Sequence, residues 1–340
     1  MRKIIEFYVV LFDFFRNFVK IRHFMKRQPL LFCAFALLLC ASLPAQNRKA
    51  APLVFTPQWT AQAQFAGYYV AKEKGFYDEE GVDVVITHPN VTQSAIDRIR
   101  ADRSHATTLQ LVQAMKIMDE GIPLVNLLQT SMNSAFEFIS RREVNPVGQK
   151  GAKVAVWTGF TDMVKAVAQE LNMDCQWIPA ASSVALFVAG AVDASAAMTY
   201  NEHYQIRQAG FILEETAIFR FGENGYNIQE DGLYVTRDYY NKHKDQADKF
   251  ARASRRGWEY AATHPEEALD IVMAYVDRNH IATNRILQQL MLKEILKLQL
   301  DPDSGVRAFT LRPDMVQQAC DLLLRCGIIR KPVTLTDLSR

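Results

Sequence analysis

The sequence predicts an α/β protein built on mostly parallel sheets, organised as two units and a helical tail. Short runs of β-branched residues alternate with amphipathic stretches, which is typical of strands connected by helices. The alternation pauses over the polar stretch 143–151 and then restarts, and from Asp238 to Cys326 the pattern is almost wholly helical. With 340 residues, the chain is long enough for two lobes of ordinary domain size.

The first unit is expected to contain five strands and three helices. Its first helix ends at Gly75, and glycine is the residue most often found just after a helix C-terminus. The expected order is strand 53–55, helix 62–74, strand 82–87, helix 94–100, strand 105–108, helix 110–120, strand 124–129 and strand 136–141.

The second unit repeats this rhythm. The expected order is strand 153–157, helix 161–171, strand 175–178, helix 183–189, strand 194–198, helix 202–209 and strand 233–236. The two units either follow one another, or the chain crosses into a second lobe near residue 142 and returns near residue 233. Periodicity alone leaves both arrangements open.

The N-terminus predicts export. A basic start at Met25-Lys26-Arg27, an apolar run at Leu30–Leu39 and small residues up to Ala45 describe a secretory signal peptide, and the run is shorter than the about 20 residues that span a membrane. Residues 1–24 are interpreted as an upstream extension or the result of a mis-called start, with an extra membrane-associated segment as the alternative. Cys40 raises the alternative of a lipid anchor, but Leu37–Leu39 lacks the small residue expected before a lipidated cysteine. Residues 1–45 are therefore assigned to an extension and a cleaved signal peptide, which predicts a periplasmic or otherwise extracytoplasmic protein.

Charge argues against nucleic acid as a partner. The whole chain carries a net charge of +2, and residues 1–45 hold seven Lys/Arg against two Asp/Glu. The remainder is therefore slightly acidic, whereas nucleic acids and anionic membranes require a basic face.

Common catalytic motifs are absent from the sequence. It contains no GxxxxGK[ST], GxGxxG, HExxH, CxxC or GxSxG pattern, and its histidines are not spaced as metal ligands. This favours binding without catalysis and predicts neither a cofactor nor a metal site, although many enzymes lack a short motif.

Trp59 is the first candidate for ligand binding. It follows the first strand, at the carboxyl edge of the predicted sheet, where open α/β folds bind ligands. Its indole ring offers a stacking surface and one N–H donor. Gln62, at the start of the next helix, is the second candidate from this loop. Tyr68 and Tyr69, which lie in the middle of that helix, are interpreted as core.

The stretch from Trp59 to Gly81 has the form W-x-x-x-A-Q-F-A-G-Y-Y-V-A-x-x-K-G-F-Y-x-x-x-G. In this order it resembles the solute-binding family that includes thiamine-pyrimidine precursor synthases and precursor-binding proteins, with sulfonate, taurine and nitrate binders as more distant relatives. The resemblance covers most of residues 53–240. It implies a type II two-lobed periplasmic-binding-protein fold with ligand in the interlobe cleft. It also implies a discontinuous first lobe, 52–141 with 233–340, and a second lobe, 142–232.

Tyr200, Asn201 and Glu202 match a segment that pyrimidine binders of this family place after a strand. A tyrosine that stacks, an amide that pairs with ring edges and a carboxylate for an exocyclic amine suit an aminopyrimidine. A sulfonate or nitrate site requires Arg, Lys or bare N–H donors instead. The alternative for Glu202 is a charge that favours the first turn of a helix.

Further candidates lie at predicted strand ends, where each is equally suited to a cap or a turn. They are Asn90, Thr107, Ser131 and Trp157, with Asp231 near the presumed return crossing as either a hinge residue or a ligand contact.

The resemblance implies capture of hydroxymethylpyrimidine or formylaminopyrimidine for an ABC importer, with its permease and ATPase subunits as partners. One alternative is another small solute, such as a sulfonate, taurine, nitrate or a riboflavin-like ring. The other is a pyrimidine-precursor synthase, whose cysteine-rich iron motif this sequence lacks.

Overall fold

The computed structural model describes residues 51–90, 92–142, 144–159, 161–181 and 183–340. The predicted extension and signal peptide lie outside the described residues. Residues 51–340 form one unit. Within the described part of the chain, no helix is both long enough and apolar enough to cross a membrane.

The strands alternate with helices up to residue 236, and helices follow. The strands are β1 (Leu53–Thr56), β2 (Val84–Ile86), β3 (Ala106–Gln110), β4 (Leu124–Gln129), β5 (Phe136–Ser140), β6 (Ala152–Trp157), β7 (Cys175–Ala180), β8 (Ala194–Met198), β9 (Ile218–Arg220) and β10 (Asp231–Thr236). The helices are α1 (Ala66–Glu73), α2 (Phe76–Glu79), α3 (Ala95–Arg100), α4 (Leu111–Asp119), α5 (Asp162–Glu170), α6 (Ala185–Val188), α7 (Glu202–Gln208), α8 (Arg237–Thr263), α9 (Pro265–Arg278), α10 (Arg285–Leu298), α11 (Pro313–Arg325) and α12 (Leu335–Leu338).

The strands form two sheets of the same design. The first has the order β2-β1-β3-β10-β4 and the second the order β7-β6-β8-β5-β9. In each sheet one strand, β10 or β5, runs antiparallel to both of its neighbours. The prediction of two lobes with a discontinuous first lobe agrees with this topology, because β10 returns to the first sheet after the second is complete.

The predicted boundary at residue 142 is wrong. It places Phe136–Ser140 in the first lobe, but β5 pairs with β8 and β9 of the second sheet. The place beside β4 is filled by β10, so β5 cannot pair there. The chain therefore crosses within residues 130–135. It returns within residues 221–230, because the next strand begins at Asp231, slightly before the predicted residue 233.

The two crossings fix where the sheets meet. Phe136, the first residue of β5, pairs with Met198, the last residue of β8. Asp231, the first residue of β10, pairs with Gln110, the last residue of β3. Both crossing strands thus begin at the carboxyl edge of a sheet, so the carboxyl edges of the two sheets face each other across the crossing segments.

A close helix crossing holds the start of α1 in place. A Cβ atom on Gly257 of α8 would lie 2.0 Å from the carbonyl oxygen of Gly67, and one on Gly67 would lie 2.2 Å from the Trp258 ring. Only glycine allows these backbones to approach so closely. Tyr68 is buried against Trp258, with ring centroids 5.8 Å apart, and Tyr69 stacks on Tyr275 at 4.0 Å. Both tyrosines are therefore core residues, as predicted.

Candidate ligand-binding site

A cavity lies between the carboxyl edges of the two sheets. Its walls come from the loop after β1 and the end of β3 on one side, and from the ends of β6 and β8 on the other. The lining residues are Gln58, Trp59, Gln62, Gln64, Gln110, Trp157, Met198, Tyr200, Asn201 and Glu202.

Six of the ten predicted site residues line this cavity. They are Trp59, Gln62, Trp157, Tyr200, Asn201 and Glu202. Asp231 and Ser131 line a second, smaller cavity that also touches Tyr200.

Asn90 and Thr107 do not line either cavity. Asn90 is exposed, and its side-chain oxygen accepts hydrogen bonds from the backbone N–H groups of Thr92 and Gln93 at 3.0 Å each. Thr107 is fully buried inside β3, and its hydroxyl donates to the carbonyl of Thr108 at 3.1 Å. Asn90 therefore stabilises a turn, and Thr107 is a strand-core residue.

Trp59 is positioned through its backbone by His88, a residue that the sequence did not single out. Nδ1 of His88 lies 2.7 Å from the Trp59 carbonyl oxygen, and Nε2 lies 2.9 Å from the Tyr69 hydroxyl. Burial lowers the pKa of His88. A neutral ring with its proton on Nδ1 satisfies both contacts, since it donates to Trp59 and accepts from Tyr69.

Four glutamines surround the lobe-one side of the cavity, and three of them were not predicted. Gln58 and Gln64 donate from Nε2 to the two carboxyl oxygens of Asp231, at 2.8 and 2.6 Å. Gln62 donates from Nε2 to Oε1 of Gln64 at 2.6 Å. The Asp231 carboxylate thus fixes which end of each amide is the donor. Gln62 Oε1 has no hydrogen bond to another described residue, which makes it an acceptor available to a ligand.

Glu202 is the centre of the lobe-two side. Its Oε1 accepts hydrogen bonds from Trp157 Nε1 and Asn201 Nδ2, both at 3.0 Å, and its Oε2 accepts the backbone N–H of Met198 at 3.0 Å. Burial raises its pKa, while the N–H donors act in the opposite direction. The sequence predicted a carboxylate that binds the exocyclic amine of a ligand, and the structure adds contacts of Glu202 within the protein. Glu202 first orients Trp157 and Asn201, and it retains one lone pair on Oε2.

Asn201 is held at both ends of its amide. Its Oδ1 accepts from Gln205 Nε2 at 2.8 Å, and one Nδ2 proton goes to Glu202. The second Nδ2 proton is left as a donor. The cavity therefore offers two aromatic indoles, a phenol, at least one free amide donor and free acceptors on Gln62 and Glu202.

The charge of the described cavity wall comes from a carboxyl group. Among the residues that the structure describes, no lysine or arginine lines it, and Glu202 is the carboxyl group that does. The same residues contain no cluster of three or more His, Cys, Asp or Glu side chains arranged to hold a metal ion.

Comparison with known proteins reveals similarity in sequence and in fold. The chain is 23% identical over 248 residues to the riboflavin-binding protein RibY of Chloroflexus aurantiacus, which covers 68% of each chain. Its structure is similar to the periplasmic aliphatic sulphonate-binding protein SsuA of Escherichia coli, with a TM-score of 0.60, 12% identity and coverage of 85% and 92% of the two chains. It is also similar to the nitrate-binding protein NrtA of Synechocystis, with a TM-score of 0.59, 14% identity and 82% of each chain.

These structural likenesses confirm the predicted two-lobed periplasmic-binding-protein fold. The family model described as "NMT1/THI5 like" matches residues 62–268, which is more than half of the chain. This range begins in the loop that carries Gln62 and includes the Tyr200-Asn201-Glu202 segment. The chain therefore belongs to the NMT1/THI5-like family.

Proposed function

We propose that this protein is the extracytoplasmic solute-binding component of an ABC importer and captures a thiamine pyrimidine precursor, hydroxymethylpyrimidine or formylaminopyrimidine. The proposed partners are a permease and an ATPase subunit, and the protein binds its ligand without turning it over. Its fold supports the binding role, because ligands of such proteins lie between two lobes that close around them.

The chemistry of the cavity wall carries this proposal. Two indole rings suit a flat heterocycle. Acceptors on Gln62 and Glu202 match the exocyclic amine of an aminopyrimidine, and the free Asn201 N–H matches a ring nitrogen. A neutral ring also leaves no unpaired charge in the closed cavity.

A sulfonate or a nitrate fits the wall less well. Either anion would be desolvated beside the Glu202 carboxyl group without a lysine or arginine among the described lining residues. A flavin-like ring is the second candidate, because the relative RibY binds riboflavin by name and two tryptophans line the cavity.

A thermal-shift screen tests the ligand. The purified protein is melted with hydroxymethylpyrimidine, formylaminopyrimidine, thiamine, riboflavin, taurine or nitrate. A ligand at about a hundred times its Kd stabilises the folded state by about 2.7 kcal/mol, which raises Tm by several degrees. We expect this shift with the pyrimidine precursors. A shift with taurine or nitrate alone would reject the proposed ligand, and a shift with riboflavin alone would favour the second candidate.

Turnover is tested on the same samples. Mass spectrometry after overnight incubation should recover the pyrimidine unchanged. A new product that depends on the protein would revive the alternative of a synthase.

Export is tested by N-terminal sequencing of the protein isolated from cells. Cleavage after Ala45 predicts a mature chain that begins at Gln46. A mature protein that begins at Cys40 would indicate a lipid anchor, and an intact N-terminus would contradict export by a cleaved signal.

A further inference from the structure

A second cavity lies directly behind the first. It is small, with room for about one water-sized group, and Gln64 and Tyr200 line both cavities. We call it the inner cavity, bounded also by Thr130, Ser131, Glu230 and Asp231 from the crossing segments and by Ile295 of α10. Gln64 and Tyr200 lie between the two cavities. A substituent that extends past Tyr200 from a ligand in the first cavity would therefore enter the inner cavity.

The Tyr200 hydroxyl is the feature that points to a ligand. Tyr200 is 5% exposed, and its hydroxyl makes no hydrogen bond with another described residue. Burial raises its pKa, and the carboxyl groups of Asp231, Glu230 and Glu202 raise it further. Tyr200 lines the inner cavity together with Asp231 and Glu230, and it lines the first cavity together with Glu202. Its hydroxyl is therefore a hydrogen-bonding group at the junction of the two cavities.

The other polar groups of the inner cavity are already oriented by the protein. Asp231 accepts from Gln58 and Gln64, and Glu230 Oε1 accepts from the Ser134 hydroxyl and the Ala135 N–H, at 2.7 Å each. Thr130 donates its hydroxyl proton to the Asp231 carbonyl at 3.0 Å, and Ser131 donates to the Asn133 carbonyl at 2.6 Å. What remains is the Tyr200 O–H, lone pairs on the Thr130 and Ser131 oxygens, and Oε2 of Glu230. Because burial raises the pKa of Glu230 to about 8, this carboxyl group carries a proton at neutral pH.

We propose that the inner cavity is a subsite for a short substituent of the bound ring that ends in a hydroxyl or an amine. This inference rests on the proposed function. Such a group donates to the free lone pairs of the subsite and accepts from the Tyr200 O–H. A carboxylate, phosphate or sulfonate substituent is disfavoured, because it would be desolvated beside the Asp231 carboxyl group with no lysine or arginine among the described lining residues.

Two probes that differ by one oxygen test the subsite. They are 4-amino-5-hydroxymethyl-2-methylpyrimidine and 4-amino-2,5-dimethylpyrimidine, titrated by calorimetry into the full protein. The wild type is expected to bind the hydroxymethyl compound at least about tenfold more tightly, because a site built for a hydroxyl discriminates against the analogue that lacks it. Equal affinities would overturn the subsite and leave the proposed function intact. Binding of neither probe would overturn the subsite, and it would overturn the proposed function as well if formylaminopyrimidine also failed to bind.

Tyr200→Phe identifies the partner of the substituent. It removes only the unbonded hydroxyl, so the ratio of the two dissociation constants should fall to within about twofold. Tyr240→Phe is the matched control, since its hydroxyl contacts Asp248 away from both cavities, and it should keep the wild-type ratio. A ratio in Tyr200→Phe that equals the wild-type ratio would contradict the assignment.

Ile295→Phe provides an independent variant. Ile295 lines the inner cavity and not the first one, so a larger side chain narrows the subsite alone. It should weaken binding of the hydroxymethyl compound by about tenfold or more and binding of the dimethyl compound by less. Equal weakening of both would count against a separate subsite.

Discussion

The Glu202 carboxylate accepts three hydrogen bonds from the protein itself, and this explains its place in the wall of the cavity. Its donors come from β6, from the end of β8 and from the adjacent Asn201. The sequence predicted that Trp157 and Glu202 lie at the site. It could not predict that they bind each other, because the contact joins the end of β6 to the start of α7, 45 positions later.

Glu202→Gln tests this orienting role. The amide keeps the shape of the side chain but turns one acceptor oxygen into an NH2 group, which would face a buried N–H donor. We expect the free energy of unfolding to fall by about 1–3 kcal/mol, measured by urea denaturation without ligand. Glu223→Gln is the control, because its carboxyl group is 69% exposed and lies 3.6 Å from Arg220, and it should cost less than about 1 kcal/mol. Equal stability of Glu202→Gln and the wild type would contradict the role.

Glu230 predicts a pH dependence of stability. Burial raises its pKa from the ordinary value of 4.5 to about 8. Between these two values the folded protein holds a proton that the unfolded chain has released, so the contribution of Glu230 to stability is lost as pH rises through this window.

Glu230→Gln removes this titration and keeps an oxygen that can accept from Ser134 and Ala135. Between about pH 5 and pH 8, the free energy of unfolding should therefore decline less steeply in the variant than in the wild type. Urea denaturation of both proteins at several pH values measures these profiles. The difference between the two profiles isolates Glu230, because the other titrating groups are the same in both proteins. Parallel profiles of the two proteins would reject the raised pKa.

Helices and strands were predictable where a local sequence pattern defines them. The pairing of strands within a sheet was not predictable. Gly75 and the capping residue Ser94 mark the helix termini where the sequence predicted them. Strand β9 was missed because its three residues are too few to show a period. The boundary at residue 142 failed because the neighbour of β4 is β10, which lies about 100 residues later and cannot be identified from a local pattern. Gln58, Gln64 and Gln110 of the cavity were missed because their local patterns indicate only loop and helix residues.

The α1–α8 crossing makes a prediction at the scale of the element. Gly257→Ala would place a Cβ atom 2.0 Å from the Gly67 carbonyl oxygen, so the two helices must separate. We expect a loss of about 1–3 kcal/mol or more in the free energy of unfolding, seen as a lower Tm. Gly148→Ala is the control, because a Cβ atom at this position would have no atom within 4 Å, and it should change stability little. A Gly257→Ala protein as stable as the control would disprove the close crossing.

At the scale of the whole molecule, side chains bridge the two lobes beside the cavity. Lys116 Nζ on α4 lies 2.9 Å from Asp162 Oδ1 on α5. On the other flank, the Tyr204 hydroxyl donates to Glu294 Oε1 at 3.2 Å. These contacts join the two lobes, and the resemblance to a known family predicted the cleft but not the residues that bridge it.

Lys116→Met tests the contribution of one bridge to ligand retention. The pair is partly exposed, so its loss is expected to cost up to about 1 kcal/mol. Stopped-flow measurement should show ligand dissociation that is about two- to fivefold faster, since a change of about 1.4 kcal/mol corresponds to tenfold. Lys242→Met breaks an exposed ion pair with Asp238 within α8 and should leave the rate unchanged. The same rate in Lys116→Met and the wild type would show that this bridge does not hold the lobes closed.

The most direct test of the central claim is a calorimetric titration of the wild-type protein with hydroxymethylpyrimidine and, separately, with taurine. A cavity with two tryptophans, amide groups and a buried carboxyl group, and with no lysine or arginine among its described lining residues, should bind the neutral ring and not the sulfonate. We predict saturable one-to-one binding of hydroxymethylpyrimidine and no heat of binding from taurine. Saturable binding of taurine, with none of the pyrimidine, would contradict the account.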